Sequence, residues 1–301
     1  MSASIRPARP ADLPRVAALL AEAALPLDGV TESFADFLVA EAAGRVVGAA
    51  GLEIRGDDVL LRSVVVDPGF RGRGVGQALT ARAIAEARSR GLANIWLLTL
   101  SAADFFQCFG FRTVAREKVP PALQATVEFH HACPASATVL VRSAQPLRVL
   151  VLCTANVARS QLAEALLQHR GGDLVLVASA GAVPGRAPHP LALEVLAERG
   201  ISWTGKRSKG IDEVSGAAWD LVITVCDAAR DACPVLPGAT MVHWGLEDPV
   251  VTGETGAVAL ARFRETAELL DRRFAALLAL PLATLSGAEL ASAAREIHAR
   301  A

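Results

Sequence analysis

The chain has 301 residues, long enough for two domains of ordinary size that each bury a core without disulfides or metals. With 52% hydrophobic and 20% charged residues the composition is globular, which excludes a disordered or fibrous protein. Thirty basic against thirty-one acidic side chains give a net charge of -1, so no global field attracts nucleic acid or an anionic membrane. The expected partners are small molecules.

The stretch Met1 to Leu13 has no continuous apolar core and does not read as a secretion signal. The longest strongly apolar run, Phe274 to Leu285, contains Pro281 and is too short to cross a bilayer. A cytoplasmic location is therefore expected, where five cysteines are reactive or buried thiols more often than staples.

In chain order, an amphipathic helix is predicted around Ala11 to Ala24, then strands near Asp36 to Ala42, Arg45 to Glu53 and Val59 to Val66. The turn Asp67-Pro-Gly69 leads to Arg71-Gly-Arg-Gly74-Val-Gly76-Gln77 and a helix from about Gly76 to Arg90. Glycines let backbone amides approach a pyrophosphate and the two arginines can neutralise it. The spelling is not a dinucleotide-binding fingerprint. A strand over Asn94 to Leu100, a short helix near Ala102 to Phe109 and the chain from Phe111 onward complete a mixed α/β domain.

The polar, proline-containing stretch Ser143 to Arg148 marks a boundary, with domains expected at 1–145 and 146–301. Beyond it, strand 148 to 152, helix 160 to 169 and strand Leu174 to Ser179 form a βαβ unit, which is parallel and right-handed by rule. Helix Pro190 to Arg199, strands Leu221 to Val225 and Thr240 to Trp244, and helix Val258 to Leu280 complete an open, doubly wound parallel sheet. Such sheets bind ligands at the carboxyl ends of their strands. The alanine-rich tail 287 to 301 reads as a capping helix.

Cys153-Thr-Ala-Asn-Val-Ala-Arg159-Ser160 lies between an apolar strand and a helix. A loop entering a helix N-terminus gathers amide hydrogens and positive potential at one point, which holds an oxyanion and favours the nucleophilic thiolate of Cys153. Thr154, Ala155, Asn156, Val157 and Ala158 supply the loop, Arg159 can grip two oxyanion oxygens, and Ser160 can hydrogen-bond the sulfur. The bland alternative is a buried structural cysteine.

Cys226 and Cys233 follow the strand at 221 to 225, on the same sheet edge. If the segment between them is helical, their Cα atoms stand roughly 10 Å apart, beyond the ~7 Å reach of a disulfide, so joining them requires unwinding. Glu247-Asp248-Pro249 follows the strand at 240 to 244, where Asp248 can serve as general acid, although Asp-Pro alone is usually a turn.

These motifs, with Ser179-Ala-Gly181, His189-Pro190, Lys206-Arg-Ser-Lys209 and His243-Trp-Gly-Leu-Glu-Asp248-Pro249, resemble the thioredoxin-coupled arsenate reductases of the low-molecular-weight tyrosine phosphatase fold. The resemblance covers nearly all of 147–280 and implies a doubly wound parallel sheet. It implies that arsenate is the substrate, that Cys153, Cys226 and Cys233 act in turn, that Asp248 protonates the departing oxygen, and that thioredoxin reduces the final disulfide. Some family members hold a potassium ion behind the loop, and Asn156, Glu164, Ser179 and Asp212 fall where its ligands are expected. Val157 and Ala158 depart from the family at a position often held by a small hydroxyl residue and at one where some members have a cysteine. A tyrosine phosphatase needs Cys153, Arg159 and Asp248 but has no use for Cys226 and Cys233. A regulatory oxyanion and acyl-CoA binding module needs no nucleophile.

The first domain, over roughly 3–143, resembles a Gcn5-related N-acetyltransferase through Arg71 to Gln77, the strand at 94–100 and Phe105-Phe-Gln-Cys-Phe-Gly-Phe111. Its stretches Pro120 to Phe129 and Cys133 to Ala137 look like those of arsenic-resistance acetyltransferases. The resemblance implies a mixed sheet with flanking helices and acetyl-CoA as cofactor. Backbone groups of Val64 and Val66 would hold the pantetheine, and Arg71, Gly72, Arg73, Gly74, Val75, Gly76 and Gln77 the pyrophosphate. Many relatives place an acid tyrosine where this chain has Phe106, and the whole chain has no tyrosine. Glu53 and Arg62 are the candidates for handling a small, amino-acid-like amine acceptor; the competing reading is a structural ion pair. No metal site is expected, since His130, His131 and Cys133 lack a second ligand pair, and Cys108 is expected to be packed.

Overall fold

The computed structural model of the chain describes residues 3–129, 134, 136–232, 236 and 238–300. It divides into two compact units, Met1–Gln145 and Pro146–Ala301.

The first unit is a seven-stranded sheet in the order β1-β2-β3-β4-β5-β7-β6. Its strands are β1 (Ser4–Pro7), β2 (Phe37–Ala42), β3 (Arg45–Arg55), β4 (Asp58–Val66), β5 (Asn94–Thr99), β6 (Arg112–Thr113) and β7 (Thr138–Ser143). On one face α3 (Val75–Ser89) lays Val75, Leu79, Ala83 and Ala87 against Leu38, Ala40, Val47 and Leu52. On the other, α1 (Leu13–Glu22) buries Val16, Leu19 and Leu20 against Phe37, Val39, Ala49 and Val65. The period of 3.6 in the helices and 2 in the strands produces both layers.

One pairing positions the site. β4 and β5 run parallel, but their register covers only Asp58–Leu60 with Asn94–Trp96, after which the strands diverge. Ser63 adopts a left-handed φ of 56° inside β4, and the β3–β4 register shifts opposite it between Ala49 and Gly51. This bulge and the splay open a cleft whose wall is unpaired strand backbone.

β1 and β7 were not among the predicted strands. Ser143, read as the start of a break, is the last residue of β7, which inserts between β5 and β6. Cys108 is exposed rather than packed; its sulfur lies 3.3 Å from the Asp104 carbonyl.

The second unit is a four-stranded, all-parallel sheet in the order β11-β10-β8-β9. β8 (Leu147–Cys153), β9 (Val175–Gly181), β10 (Leu221–Thr224) and β11 (Thr240–His243) are joined through α6 (Arg159–Gly171), α7 (Pro190–Glu198) and α8 (Asp227–Ala232). α9 (Gly256–Leu278) and α10 (Gly287–Arg300) follow. Val149, Val151, Leu221 and Ile223 face a core built with α6, α7, α9 and α10, while Leu150, Leu152 and Val222 face Trp219 and Leu236. The tail helix covers β11 with Leu290, Ala291 and Ala294, and the Ala294 carbonyl accepts the Trp244 indole N–H at 2.8 Å. The chain leaves β8 toward β9 on one side and has β10 on the other, so the crevice beyond β8 and β10 is the topological switch point where such sheets bind ligands. Among the described residues no helix is long and apolar enough to cross a membrane.

Candidate active sites

β8 delivers Cys153 to the carboxyl edge and α6 begins at Arg159, which leaves Thr154 to Ala158 as the loop between them. The loop carbonyls are consumed from outside. N–H groups of Ala182, Val183, Gly185 and His189 donate to the carbonyls of Cys153, Thr154, Ala155 and Val157 at 3.2, 2.9, 2.9 and 2.7 Å. The Ser208 hydroxyl donates to the Asn156 carbonyl at 2.8 Å. A trans peptide carries its N–H opposite its C=O, so the amides of Thr154 to Ala158 turn to the inner side. Asn156 demonstrates the direction, because its N–H donates to Cys153 Sγ at 3.0 Å.

The loop needs two backbone allowances. Asn156 is in the left-handed region at φ 52°, held there by buried bonds from Lys209 N–H to Oδ1 (2.8 Å) and from Nδ2 to Ser179 Oγ (2.8 Å) and Ser160 Oγ (2.9 Å). Gly181, at the end of β9, lies so close beneath it that a Cβ would meet the Thr154 carbonyl at 2.6 Å and the Asn156 nitrogen at 2.8 Å. Sequence reasoning noticed Gly181 as part of a motif but not this contact.

Cys153 is 4% exposed, and its sulfur lies 2.8 Å from Ser160 Oγ. Burial works against the thiolate that the helix N-terminus is expected to favour. Burial pushes the Cys153 thiol up; the hydrogen bonds from Ser160 and from the Asn156 and Ser160 backbone oppose this without overcoming it, and neighbouring Cys226 adds to the rise.

Cys226 follows β10 and is also buried, with Sγ 3.3 Å from Thr154 Oγ1. The loop and the second thiol therefore share one edge. α8 follows Cys226 and is helical to Ala232. Cys233 lies outside the described residues, as do His130, His131 and Cys133. Thr224 Oγ1 stands 2.9 Å from His243 Nδ1, and His243 Nε2 reaches Asp227 Oδ1 at 3.2 Å, a bridge across the start of α8 that the sequence did not suggest.

Arg159 bridges to the turn after β11: Nη1 donates to the Leu246 carbonyl at 3.0 Å and Nη2 to Asp248 Oδ2 at 2.6 Å. Asp248 is half-exposed and its other oxygen accepts the Val250 N–H at 3.1 Å. Guanidinium and carboxylate thus stand together at the loop mouth.

Behind the loop, the residues do not fit a potassium ion. Glu164 holds the Lys209 ammonium at 3.0 and 3.2 Å and accepts the Ser179 hydroxyl at 2.6 Å. Asn156 directs its NH2 donor at Ser179 and has Oδ1 occupied by the Lys209 N–H. A hard cation needs converging oxygen acceptors, and here an ammonium already stands among them. Asp212 lies in a 3-10 turn, its carbonyl accepting the Ser215 hydroxyl at 3.3 Å. Lys209 was noticed in sequence only as part of a motif.

In the first unit the splay between β4 and β5 opens a cavity of about 880 Å³ lined by Val64, Val66, Arg71, Gly72, Gly74, Val75, Gly76 and Gln77, among others. Gly74, in the left-handed region at φ 80°, is the N-cap of α3, so the helix aims its first amides at this cavity. Arg73 stacks on Phe70, 5.5 Å from the ring centroid. Arg62 and Phe106 also line the cavity, whereas Glu53 lines a separate one of about 300 Å³. Arg62 and Glu53 are an ion pair at 3.0 Å. A third member, Glu128, had no predicted role: it lines the large cavity and reaches Arg62 Nη2 at 2.8 Å. Among the described residues no group of three or more His, Cys, Asp or Glu side chains is arranged to hold a metal ion.

Comparison with known proteins agrees with these two architectures. The family model for low molecular weight phosphotyrosine protein phosphatase matches residues 148–290, and the acetyltransferase (GNAT) domain model matches residues 33–113. The arsenate reductase of Halalkalibacterium halodurans is 35% identical over 126 residues, 42% of this chain and 90% of that protein. Among solved structures, a thioredoxin-dependent arsenate reductase of Corynebacterium glutamicum is 37% identical with a TM-score of 0.35, over 43% of this chain and 59% of that one. N-acetylglutamate synthase of Neisseria gonorrhoeae, complexed with coenzyme A and N-acetyl-glutamate, is 25% identical with a TM-score of 0.43, over 48% of this chain. The chain spans about a third of that synthase's length, 35%. Through its second unit the chain belongs to the arsenate reductases of the low-molecular-weight phosphatase family, and its first unit carries an acetyltransferase domain of the Gcn5-related type.

Proposed function

We propose that the protein carries two activities, reduction of arsenate to arsenite in the second unit and acetyl transfer from acetyl-CoA to a small amine in the first. The observation that carries the first activity is the position of Cys226, whose sulfur lies 3.3 Å from Thr154 Oγ1 on the rim of the loop that holds Cys153. Hydrolysis of a phosphate ester has no use for that thiol; reduction has.

In this reading the inward amides and Arg159 bind arsenate, which takes Nη2 from Asp248 as it enters. The Cys153 sulfur attacks arsenic, an S–As bond forms, and one oxygen leaves as water with a proton supplied by Asp248. Cys226 then attacks the Cys153 sulfur. The S–S bond forms as the S–As pair withdraws onto arsenic, which falls from As(V) to As(III) and departs as arsenite. Cys233 attacks Cys226, freeing Cys153, and thioredoxin reduces the resulting disulfide by exchange.

In the first unit the amides at the start of α3, with Arg71 and Arg73, bind the pyrophosphate, and the backbone at Val64 and Val66 lines the pantetheine channel, with the Val66 carbonyl already accepting Arg71 Nε at 3.1 Å. Acetyl-CoA supplies the acyl group. The cavity offers no tyrosine hydroxyl at Phe106, so the departing thiolate takes its proton from the amine or from solvent.

The test supplies arsenate, thioredoxin, thioredoxin reductase and NADPH and follows arsenite release, with acetyl-CoA binding measured in parallel by calorimetry. Arsenite release that stops in Cys153→Ser supports the reading. Hydrolysis of an aryl phosphate without arsenite release selects a phosphatase instead, and absence of acetyl-CoA binding overturns the second activity.

A further inference from the structure

Gln161, in the first turn of α6, is 1% exposed. Its Nε2 stands 3.1 Å from each of three oxygens, the Asn156 carbonyl, Asn156 Oδ1 and the Arg207 carbonyl. Its Oε1 accepts the Trp203 indole N–H at 2.8 Å. An indole nitrogen only donates and an amide oxygen only accepts, so the Gln161 amide has a single orientation, and turning it over would break all four contacts.

These bonds complete Asn156. Its carbonyl also accepts the Ser208 hydroxyl and its Oδ1 the Lys209 N–H, each at 2.8 Å. With two lone pairs on each oxygen, Gln161 supplies the second bond to both. Fixing the Asn156 carbonyl on the outer side turns the N–H of the same peptide, that of Val157, to the inner side of the loop. Fixing Oδ1 holds the side chain whose Nδ2 donates to Ser160 Oγ, in a residue kept at φ 52°.

Trp203 is buried, and Lys206 Nζ lies 4.3 Å from its ring centroid. The segment 203–209 therefore meets the loop and Gln161 at four points, through the indole N–H, the Arg207 carbonyl, the Ser208 hydroxyl and the Lys209 N–H.

We propose that Gln161 is a positioning residue for the oxyanion loop, holding the Asn156 carbonyl and side chain so that the Val157 N–H stays turned inward, and that Trp203 fixes the Gln161 amide for this task. Neither side chain touches the reacting atoms. The proposal rests on the reading of the loop as an oxyanion site and adds to it a brace from outside the stretch Cys153 to Ser160.

Three variants separate the parts. Gln161→Met keeps the length of the side chain and removes its donor and acceptor. Gln161→Glu sets a carboxylate oxygen against three acceptors. Trp203→Phe keeps a ring beside Lys206 and removes only the indole N–H, which frees the Gln161 amide to turn.

The experiment uses the full chain below the melting temperature of every variant. It reads the affinity for inorganic phosphate by calorimetry and the pH profile of Cys153 alkylation by iodoacetamide. Phosphate affinity is expected to fall about tenfold in Gln161→Met, the size of a lost buried hydrogen bond, further in Gln161→Glu and less in Trp203→Phe. The alkylation profile is expected to move to higher pH in the same order, because the donors from Asn156 and Ser160 no longer meet the sulfur squarely. A purely structural role would lower the melting temperatures and leave both readouts at wild-type values, and that result overturns the proposal. Should the Gln161 variants fail to fold, Trp203→Phe decides by the same two readouts. Absence of phosphate binding in the wild type would instead remove the oxyanion reading, and the alkylation profile would then decide for or against the brace.

Discussion

Asn156 Nδ2 donates to Ser160 Oγ at 2.9 Å, and this bond orients the serine hydroxyl beside Cys153. The amide cannot be reversed, because its Oδ1 accepts the Lys209 backbone N–H at 2.8 Å. With Asn156 donating to its oxygen, Ser160 keeps its hydrogen for Cys153 Sγ, 2.8 Å away, once that sulfur is ionised and can only accept. The sulfur thus receives donors from Ser160 and from the Asn156 N–H, which oppose the rise that burial imposes on it.

Replacing Ser160 by Ala removes one of these donors and lifts the Cys153 thiol further. Because the ionised form is the nucleophile, its fraction grows with pH, and the variant needs a higher pH to reach the same reactivity. Alkylation of Cys153 by iodoacetamide, resolved by peptide mass from about pH 6 to about pH 10, is expected to rise through a pKa above the ordinary thiol range in the wild type and later still in Ser160→Ala. An unchanged profile would mean that the serine proton points elsewhere.

Gly181→Ala tests the packing beneath the loop. The added methyl meets backbone atoms of Thr154 and Asn156 at 2.6 and 2.8 Å, which cannot rotate away as a side chain can. A loss of about 1–3 kcal/mol in stability is expected from overpacking, with weakened phosphate inhibition because the amides leave their convergent positions. Thermal melting and inhibition by phosphate read the two effects separately.

Lys209→Met takes from the 4% exposed Glu164 its nearer ammonium partner and leaves only Lys206, 3.8 Å away. Breaking a largely buried pair this way costs about 3 kcal/mol, measured by denaturant unfolding. The wild type should melt at the same temperature in potassium and sodium chloride. Selective stabilisation by potassium would show that the ammonium does not occupy the cation's place.

The arginines of the glycine-rich turn make a separate prediction. Arg71→Ala and Arg73→Ala should each weaken acetyl-CoA binding roughly tenfold, as expected for a charge-assisted phosphate contact, and the wild-type affinity should fall with added salt. Acetylpantetheine, which lacks the pyrophosphate, should be indifferent to both substitutions.

Much of this was legible because it is local. Strand-to-helix turns with glycine or a Cys-to-Arg loop announce themselves by residue type at fixed spacing, and the apolar period located β2, β3, β4, β8 and α9 within a few residues. β7 was missed although Thr138-Val-Leu-Val has strand chemistry, since its place between β5 and β6 depends on pairing with Asn94–Thr99 more than forty residues earlier. The burial that raises the Cys153 thiol was not legible for a related reason: the helix N-terminus is a local feature, whereas burial depends on packing from β8, α6 and Cys226 together. Glu128 and Lys209 acquire their meaning only from partners sixty-six and forty-five residues away, Arg62 and Glu164. No periodicity in the chain records such pairs.

The most direct measurement is a single turnover with arsenate in the absence of thioredoxin, quantifying arsenite and mapping disulfides. The account predicts about one equivalent of arsenite from the wild type, none from Cys153→Ser or Cys226→Ala, and one from Cys233→Ala with a Cys153–Cys226 disulfide left behind. Arsenite released by Cys226→Ala at the wild-type rate would contradict it, because the second sulfur would then play no part in taking the electrons from arsenic.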